Sequence, residues 1–176
     1  MRRDLDGAFN DFVNAEGPSL YRLARLLSGD SAAAEDLVQV TLLRAWKSWP
    51  RVSAAEDRAA YVRRILVNAA RTGWRRRWRM ESPSGIISAP SADDAYQQVD
   101  DRERLIEALR VLAPRQRAAV VLRYFCDLDD ATIADLLGCS PATVRSQVSR
   151  ALTQLRVTEL NSAPRSPRAD SYQERS

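Results

Sequence analysis

Apolar side chains recur every three or four positions from Phe9 to Leu155, and a convincing alternation of apolar and polar residues occurs nowhere. That period belongs to helices, and without Gly-rich hairpin turns the chain offers no material for a sheet. The fold class expected is all-α. The period lapses over ESPSGIISAPSADDAYQQVDD, residues 81–101, where Pro, Ser, Gly and acids take its place. About twenty structureless residues inside one compact domain would be unusual, so this stretch reads as a flexible linker. The organisation expected is two small helical domains, 1–80 and 102–160, joined by the linker 81–101. A polar, Pro/Ser-rich tail, 161–176, is expected to be disordered.

Charge divides the chain in the same places. Residues 1–80 carry 15 basic and 9 acidic side chains, 81–101 carry 5 acids and no base, and 102–160 carry 9 bases and 7 acids. Nearly all the positive charge is arginine, Lys47 being the one lysine, and arginine's planar fork grips phosphate and stacks on flat rings. Histidine is absent, which removes the commonest general base and metal ligand. Cys126 and Cys139 are too few and too isolated for a zinc site or a disulfide framework. With no clustered carboxylates and no phosphate-binding glycine loop, an enzyme, a bound metal and a cofactor are not expected. No apolar run has the length of a membrane span and no signal-peptide core follows the N-terminus, so a cytoplasmic protein is expected.

Helix boundaries follow from punctuation. Phe9, Phe12 and Val13 begin an apolar face that Leu20, Leu23, Ala24 and Leu27 continue, with Gly17-Pro18 as the entry to a second helix and Ser28-Gly29-Asp30 as its close. A third helix is expected from about Ala32 to Trp49, with Leu37, Val38, Leu42, Ala45, Trp46 and Trp49 inward and Pro50 as its stop. A fourth starts near Ala59 with Tyr61, Val62, Ile65, Leu66 and Ala69 on the core side. In the second half, Leu105, Leu109 and Leu112 end at Ala113-Pro114, and Val120, Val121 and Tyr124 mark the next helix.

The stretch DLDDATIADLLGCSPATVRSQVSRALTQLR is the most specific of the second half. Asp129 or Asp130 can cap a short helix bearing Ile133, Leu136 and Leu137; Gly138 supplies a left-handed turn, Ser140 a second cap and Pro141 a first helical position. Two short helices about such a turn form a helix-turn-helix, whose second helix enters the major groove of DNA. Thr143, Arg145, Ser146, Gln147, Ser149 and Arg150 face outward near its start. All can donate hydrogen bonds to bases or phosphates. A solvated face ordinarily balances its bases with acids, and none occurs between Ser140 and Gln154.

The stretch ARTGWRRRWRM, residues 70–80, spends five arginines and two tryptophans on eleven positions. Arg64, Asn68, Arg71, Arg75 and Arg79 are spaced by three or four and so form one helical stripe, with Trp74 and Trp78 beside it. Arginines that neutralise phosphates beside rings that stack on bases suit unpaired nucleic acid. A membrane-surface helix would need a broad apolar face that is missing here. A solvated helix end with one buried tryptophan remains an ordinary alternative.

Together, LYRLARLLSGDSAAAEDLVQVTLLRAWKSW, YVRRILVNAARTGWRRRWR, LAPRQRAAVVLRYF and DDATIADLLGCSPATVRSQVSRALTQLR resemble the sigma-70 family of RNA polymerase sigma factors. The resemblance is to the minimal extracytoplasmic-function type, which keeps only regions 2 and 4. GWRRR after Val67-Asn68-Ala69-Ala70 is similar to the SigE-like actinomycete subfamily. The resemblance implies a region 2 bundle over 1–80 and a region 4 helix-turn-helix over 102–160. It implies binding to core RNA polymerase (β′ clamp and β flap) and promoter DNA, and an anti-sigma factor as a further partner. It places Asp36, Gln39, Leu43 and Arg44 at the β′ clamp, and PRVSAAEDR at a flipped base of the −10 element. Arg64, Asn68, Arg71, Trp74, Arg75, Arg76 and Arg77 fall at the melting −10 strand. Thr143, Arg145, Ser146, Gln147 and Arg150 fall at the −35 element, and Arg115 and Arg117 at phosphates.

Two positions depart from the family pattern: Val40 stands where an acid is usual, and Thr132 where a glutamate commonly precedes Ile-Ala. The alternative of another class is a stand-alone helix-turn-helix regulator whose N-terminal module senses a ligand or dimerises. It would bind duplex DNA unaided, where a sigma factor needs core polymerase.

Overall fold

The computed structural model describes residues 2–80 and 97–162, with side chains at 6–76 and 101–158. Eight helices make up the fold of those residues, with no strand among them: α1 (Arg2–Ser28), α2 (Ser31–Lys47), α3 (Trp49–Ser53), α4 (Arg58–Met80), α5 (Gln97–Arg110), α6 (Pro114–Tyr124), α7 (Asp130–Leu137) and α8 (Pro141–Ser162).

α1 crosses Gly17-Pro18 without a break, where the sequence suggested two helices. Proline there removes one backbone hydrogen bond. The cost is offset because Phe12 on one side of it and Leu20, Leu23 and Leu27 on the other are all buried in one core. The end of α1 is as expected: Gly29 takes φ +75 and its N–H donates to the Arg25 carbonyl at 2.8 Å. Asp30 then caps α2, its Oδ1 accepting from Ala33 N at 2.8 Å.

Pro50 does not close a helix at Trp49. α2 ends at Lys47, and Pro50 stands in the first turn of the short α3, where its missing N–H costs nothing. This break turns the Trp49 ring inward until it is fully buried, against Phe9 and Phe12 at centroid distances of 5.0 and 5.5 Å. Trp46 and Tyr61, both expected inward, are exposed, although Trp46 still touches the Phe9 ring at 5.0 Å. α4 opens on a cap from Asp57, whose Oδ1 accepts from Ala60 N at 2.8 Å, and buries Val62, Leu66, Val67, Ala69 and Ala70. Each large apolar side chain so buried contributes about 1.5–3 kcal/mol.

α5 begins at Gln97, inside the stretch expected as linker. Asp101, in its second turn, lies 3.6 Å from Arg104 Nη1. Residues 81–96 of that expected linker, and 163–176 of the expected tail, lie outside the described residues. The first four and last four helices are not held apart. α1 packs on α6 and α5, α4 packs on α7, and the buried apolar residues of both halves join in one cluster. Arg25 of α1 donates to both Glu103 carboxylate oxygens of α5, at 2.7 and 2.8 Å.

Candidate nucleic-acid interface

The helix-turn-helix is built as its punctuation dictates. Asp129 caps α7, its Oδ1 accepting from Thr132 N at 2.7 Å. These hydrogen bonds to Thr132 hold the Asp129 carboxyl below the ordinary carboxylate range, because they favour its charged form. Gly138 ends α7 in the left-handed region at φ 65, and Ser140 Oγ accepts from Thr143 N at 3.1 Å to start α8. Val144, Val148 and Ala151 bury the inner face of α8. Arg145, Ser146 and Arg150 stand exposed on the outer face, with Gln147 half-buried and Thr143 exposed beside its Ser140 partner at 2.9 Å.

One acid reaches this face from outside α8. Asp130, the first residue of α7, pairs with Arg123 of α6, and its Oδ2 lies 3.6 Å from Arg145 Nη1. Sequence reading weighed Asp130 only as a cap, since nothing in linear spacing says that residues 123, 130 and 145 converge.

The stripe on α4 is present, but it faces the second half of the molecule as well as solvent. Arg64 Nη2 lies 3.4 Å from Asp135 Oδ2 of α7, and Arg71 Nη1 donates to the Leu136 carbonyl at 3.4 Å. Asn68 is half-buried and its carbonyl accepts from Thr72 Oγ1 at 2.9 Å. Trp74 is half-buried against the hydrophobic cluster, so part of its ring is committed to packing. Arg75 and Arg76 are exposed; the side chains of Arg77, Trp78 and Arg79 lie outside the described residues. Within PRVSAAEDR, the first four residues are helical in α3 and the remainder turns into α4.

Asp36, Gln39 and Arg44 are exposed on α2 together with Leu43, which is 54 % exposed, and Val40, which is 42 % exposed. Val40 therefore extends an apolar strip instead of leaving a vacancy for charge. Arg115 is exposed at the start of α6. Arg117, expected at phosphates, is instead only 9 % exposed and donates to the carbonyls of Leu27, Arg110 and Leu112 at 3.2–3.4 Å, so in this arrangement its guanidinium caps helix ends. Cys126 lines a small cleft between α1, α4 and α6 with Glu16, Leu20, Arg63 and Phe125. Burial raises its thiol pKa, against the opposing pull of the Arg63 charge.

Comparison with known proteins assigns these faces a context. Residues 12–80 match Sigma-70 region 2 and residues 102–155 match Sigma-70, region 4. The RNA polymerase sigma-E factor of Streptomyces avermitilis is 37 % identical over 167 residues, covering 95 % of this chain and 93 % of that one. The RNA polymerase sigma-E factor of Streptomyces coelicolor is 37 % identical over 148 residues, 84 % of each chain. Among solved structures, the sigma factor RpoE of Bartonella quintana, in complex with the anti-sigma factor NepR, is similar with a TM-score of 0.63. It is 27 % identical, with 90 % of this chain and 99 % of that one covered. The chain belongs to the sigma-70 family, as an RNA polymerase sigma factor of the extracytoplasmic-function type that serves promoter-specific transcription initiation.

Proposed function

We propose that this factor divides its work among three helices. α2 docks on the β′ clamp of core RNA polymerase through Asp36, Gln39, Leu43 and Arg44, with Val40 enlarging the apolar part of the contact. The helix-turn-helix sits by the β flap and reads the −35 element through Thr143, Arg145, Ser146, Gln147 and Arg150. α4 holds the opened −10 strand through Arg64, Asn68, Arg71, Trp74, Arg75, Arg76 and Arg77, and Arg115 adds a phosphate contact. The observation that carries this reading is the outer face of α8, where exposed donors are set on a buried Val144/Val148/Ala151 spine with no acid between Ser140 and Gln154. A factor of this kind needs no chemistry of its own. Unstacking a base step costs a few kcal/mol, and the opened strand is favoured only if it is bound better than the duplex.

The packed arrangement fits the free protein. Arg64 and Arg71 lie against α7, so a −10 strand bound to them would displace those contacts, and polymerase binding would draw α7 away from α4. The cytoplasm is the compartment where this activity would be exercised. Because the RpoE neighbour was solved with an anti-sigma factor, a comparable partner is proposed here.

The test is in vitro transcription with purified core polymerase, with and without this protein, on fragmented genomic DNA followed by mapping of RNA 5′ ends. New starts that share two upstream elements at fixed spacing are expected. Failure to join the polymerase on gel filtration, with tight unaided binding to duplex DNA, would favour the stand-alone regulator.

A further inference from the structure

We infer that Asp130 is a positioning residue for −35 readout: its carboxylate directs the Arg145 guanidinium and so sharpens base discrimination at the expense of general DNA affinity. The inference rests on the reading of α8 given above.

Asp130 is held from three helices. The Asp129 cap fixes the backbone at the first turn of α7, the Asp130 Oδ1 atom is buried beside Arg123 of α6 without a hydrogen bond, and Oδ2 lies 3.6 Å from Arg145 Nη1 of α8 as an ion pair. One acid thus stands between two arginines, and of the two only Arg145 is exposed. An aspartate beside a phosphate-binding face weakens attraction to every DNA sequence alike. A surface that worked by charge alone would have no use for it. Arg145 has a different difficulty. A long side chain reaching solvent loses rotamer freedom when it forms a two-pronged contact with one base, and part of that loss is removed if one edge of the fork is already held. Asp130 meets that need, because its carboxylate lies in α7 between Arg123 and Arg145 before any DNA arrives.

The geometry also separates Asp130 from an ordinary helix-start acid. A residue that only favoured the α7 dipole would stabilise the fold equally whether or not Arg145 was present. A positioning residue acts through Arg145, so its removal lowers discrimination at the base that Arg145 reads and at no other base.

The experiment uses the full chain with core polymerase on a promoter whose −35 element, once mapped, is substituted one base pair at a time. Asp130→Asn, Arg145→Ala and the double variant are compared, with unfolding temperature measured for each. Arg145→Ala should flatten preference at one position. Asp130→Asn should lower discrimination at that same position by about twofold to fivefold, the range of a partly exposed ion pair, with binding to unrelated duplex equal or tighter. In the Arg145→Ala background it should change nothing further. Asp130→Ser, compatible with a helix start, serves if the asparagine variant is poorly folded and should show the same pattern. The inference is overturned if discrimination at the Arg145 position stays as in the parent. It is also overturned if the loss is uniform across positions and persists without Arg145. If Arg145→Ala alters no position, the −35 reading of α8 fails first and the role of Asp130 falls with it.

Discussion

Two arginine-bearing surfaces, one on α4 and one on α8, look alike in sequence and differ in how they are held. On α4, Arg64 and Arg71 lie against Asp135 and the Leu136 carbonyl, groups from a different part of the chain. On α8, Arg150 is exposed and Arg145 has Asp130 beside it, within the helix-turn-helix itself. The difference follows the tasks proposed for them. A guanidinium that neutralises a flexible, opened backbone tolerates many poses, so it can be borrowed for internal contacts and released. One that reads a base edge needs a direction, supplied locally. The largest effect should therefore come from α8. Arg145→Ala or Arg150→Ala should each cost about 1–3 kcal/mol of discrimination at one −35 position, which transcription from single-base promoter variants would read out, with polymerase binding intact. Promoter choice unchanged in both would mean that the recognition face lies elsewhere.

For α4 the comparison predicts a loss of opening without a loss of address. Trp74→Ala with Arg75→Ala removes a ring and an exposed charge, and a stacked base is worth roughly 1–3 kcal/mol. Because the Trp74 ring is partly committed to the core, the lower part of that range is expected. Permanganate reactivity of promoter thymines should fall while recruitment of polymerase to the −35 element persists. Normal reactivity would remove α4 from the melting step.

Much of this arrangement is legible in the chain because it rests on local rules. The Asp129 cap, the Gly138 turn and the Ser140-Pro141 start all act within four residues, and each stands where its residue type requires. Where tertiary packing decides, local rules lose. Pro18 fails to break α1 because the apolar face runs through it, and Pro50 starts a helix because Trp49 must turn inward. The family resemblance places Arg117 at a phosphate, yet the carbonyls it reaches include one ninety residues away. The ion pairs of Asp135 and Asp130 are illegible in sequence for the same reason, since their partners come from α4, α6 and α8. Local pattern locates the helices and their outer faces; it does not say which outer faces meet each other.

Gly138 is where the two surfaces meet, so it offers a sharper probe of the comparison. A β-carbon there would lie 2.5 Å from Arg71 Nη1, and φ is +65. The guanidinium is the end of a flexible side chain and can move aside, whereas the left-handed backbone strain of about 1–2 kcal/mol cannot be relieved. Gly138→Ala should therefore lower the unfolding temperature by a few degrees, about 2–4 °C per kcal/mol for a chain of this size. Adding Arg71→Ala should recover almost none of that loss. Substantial recovery would mean that Arg71 is clamped between the halves more firmly than a single 3.4 Å hydrogen bond implies.

The smallest effect should come from the Arg64–Asp135 pair, and its smallness is the point. Both side chains are well exposed, so solvent screens the attraction and the coupling should be no more than about 1 kcal/mol. A double-mutant cycle with Arg64→Glu and Asp135→Arg, read by thermal unfolding, measures it directly. The charge-reversed double variant should regain most of the parent's stability at low salt, and the coupling should fade as the Debye length shrinks to about 3 Å at 1 M salt. Transcription assays separate the partners: Arg64→Glu should impair opening of the −10 region, and Asp135→Arg should spare it or aid it by freeing Arg64. A coupling well above this range would mean that α7 is bound to α4 by charge, and polymerase would then have to work against that attraction to expose the −10 surface. A weak coupling leaves Arg64 free to exchange a carboxylate for a phosphate, as a surface held only until its nucleic acid arrives should be.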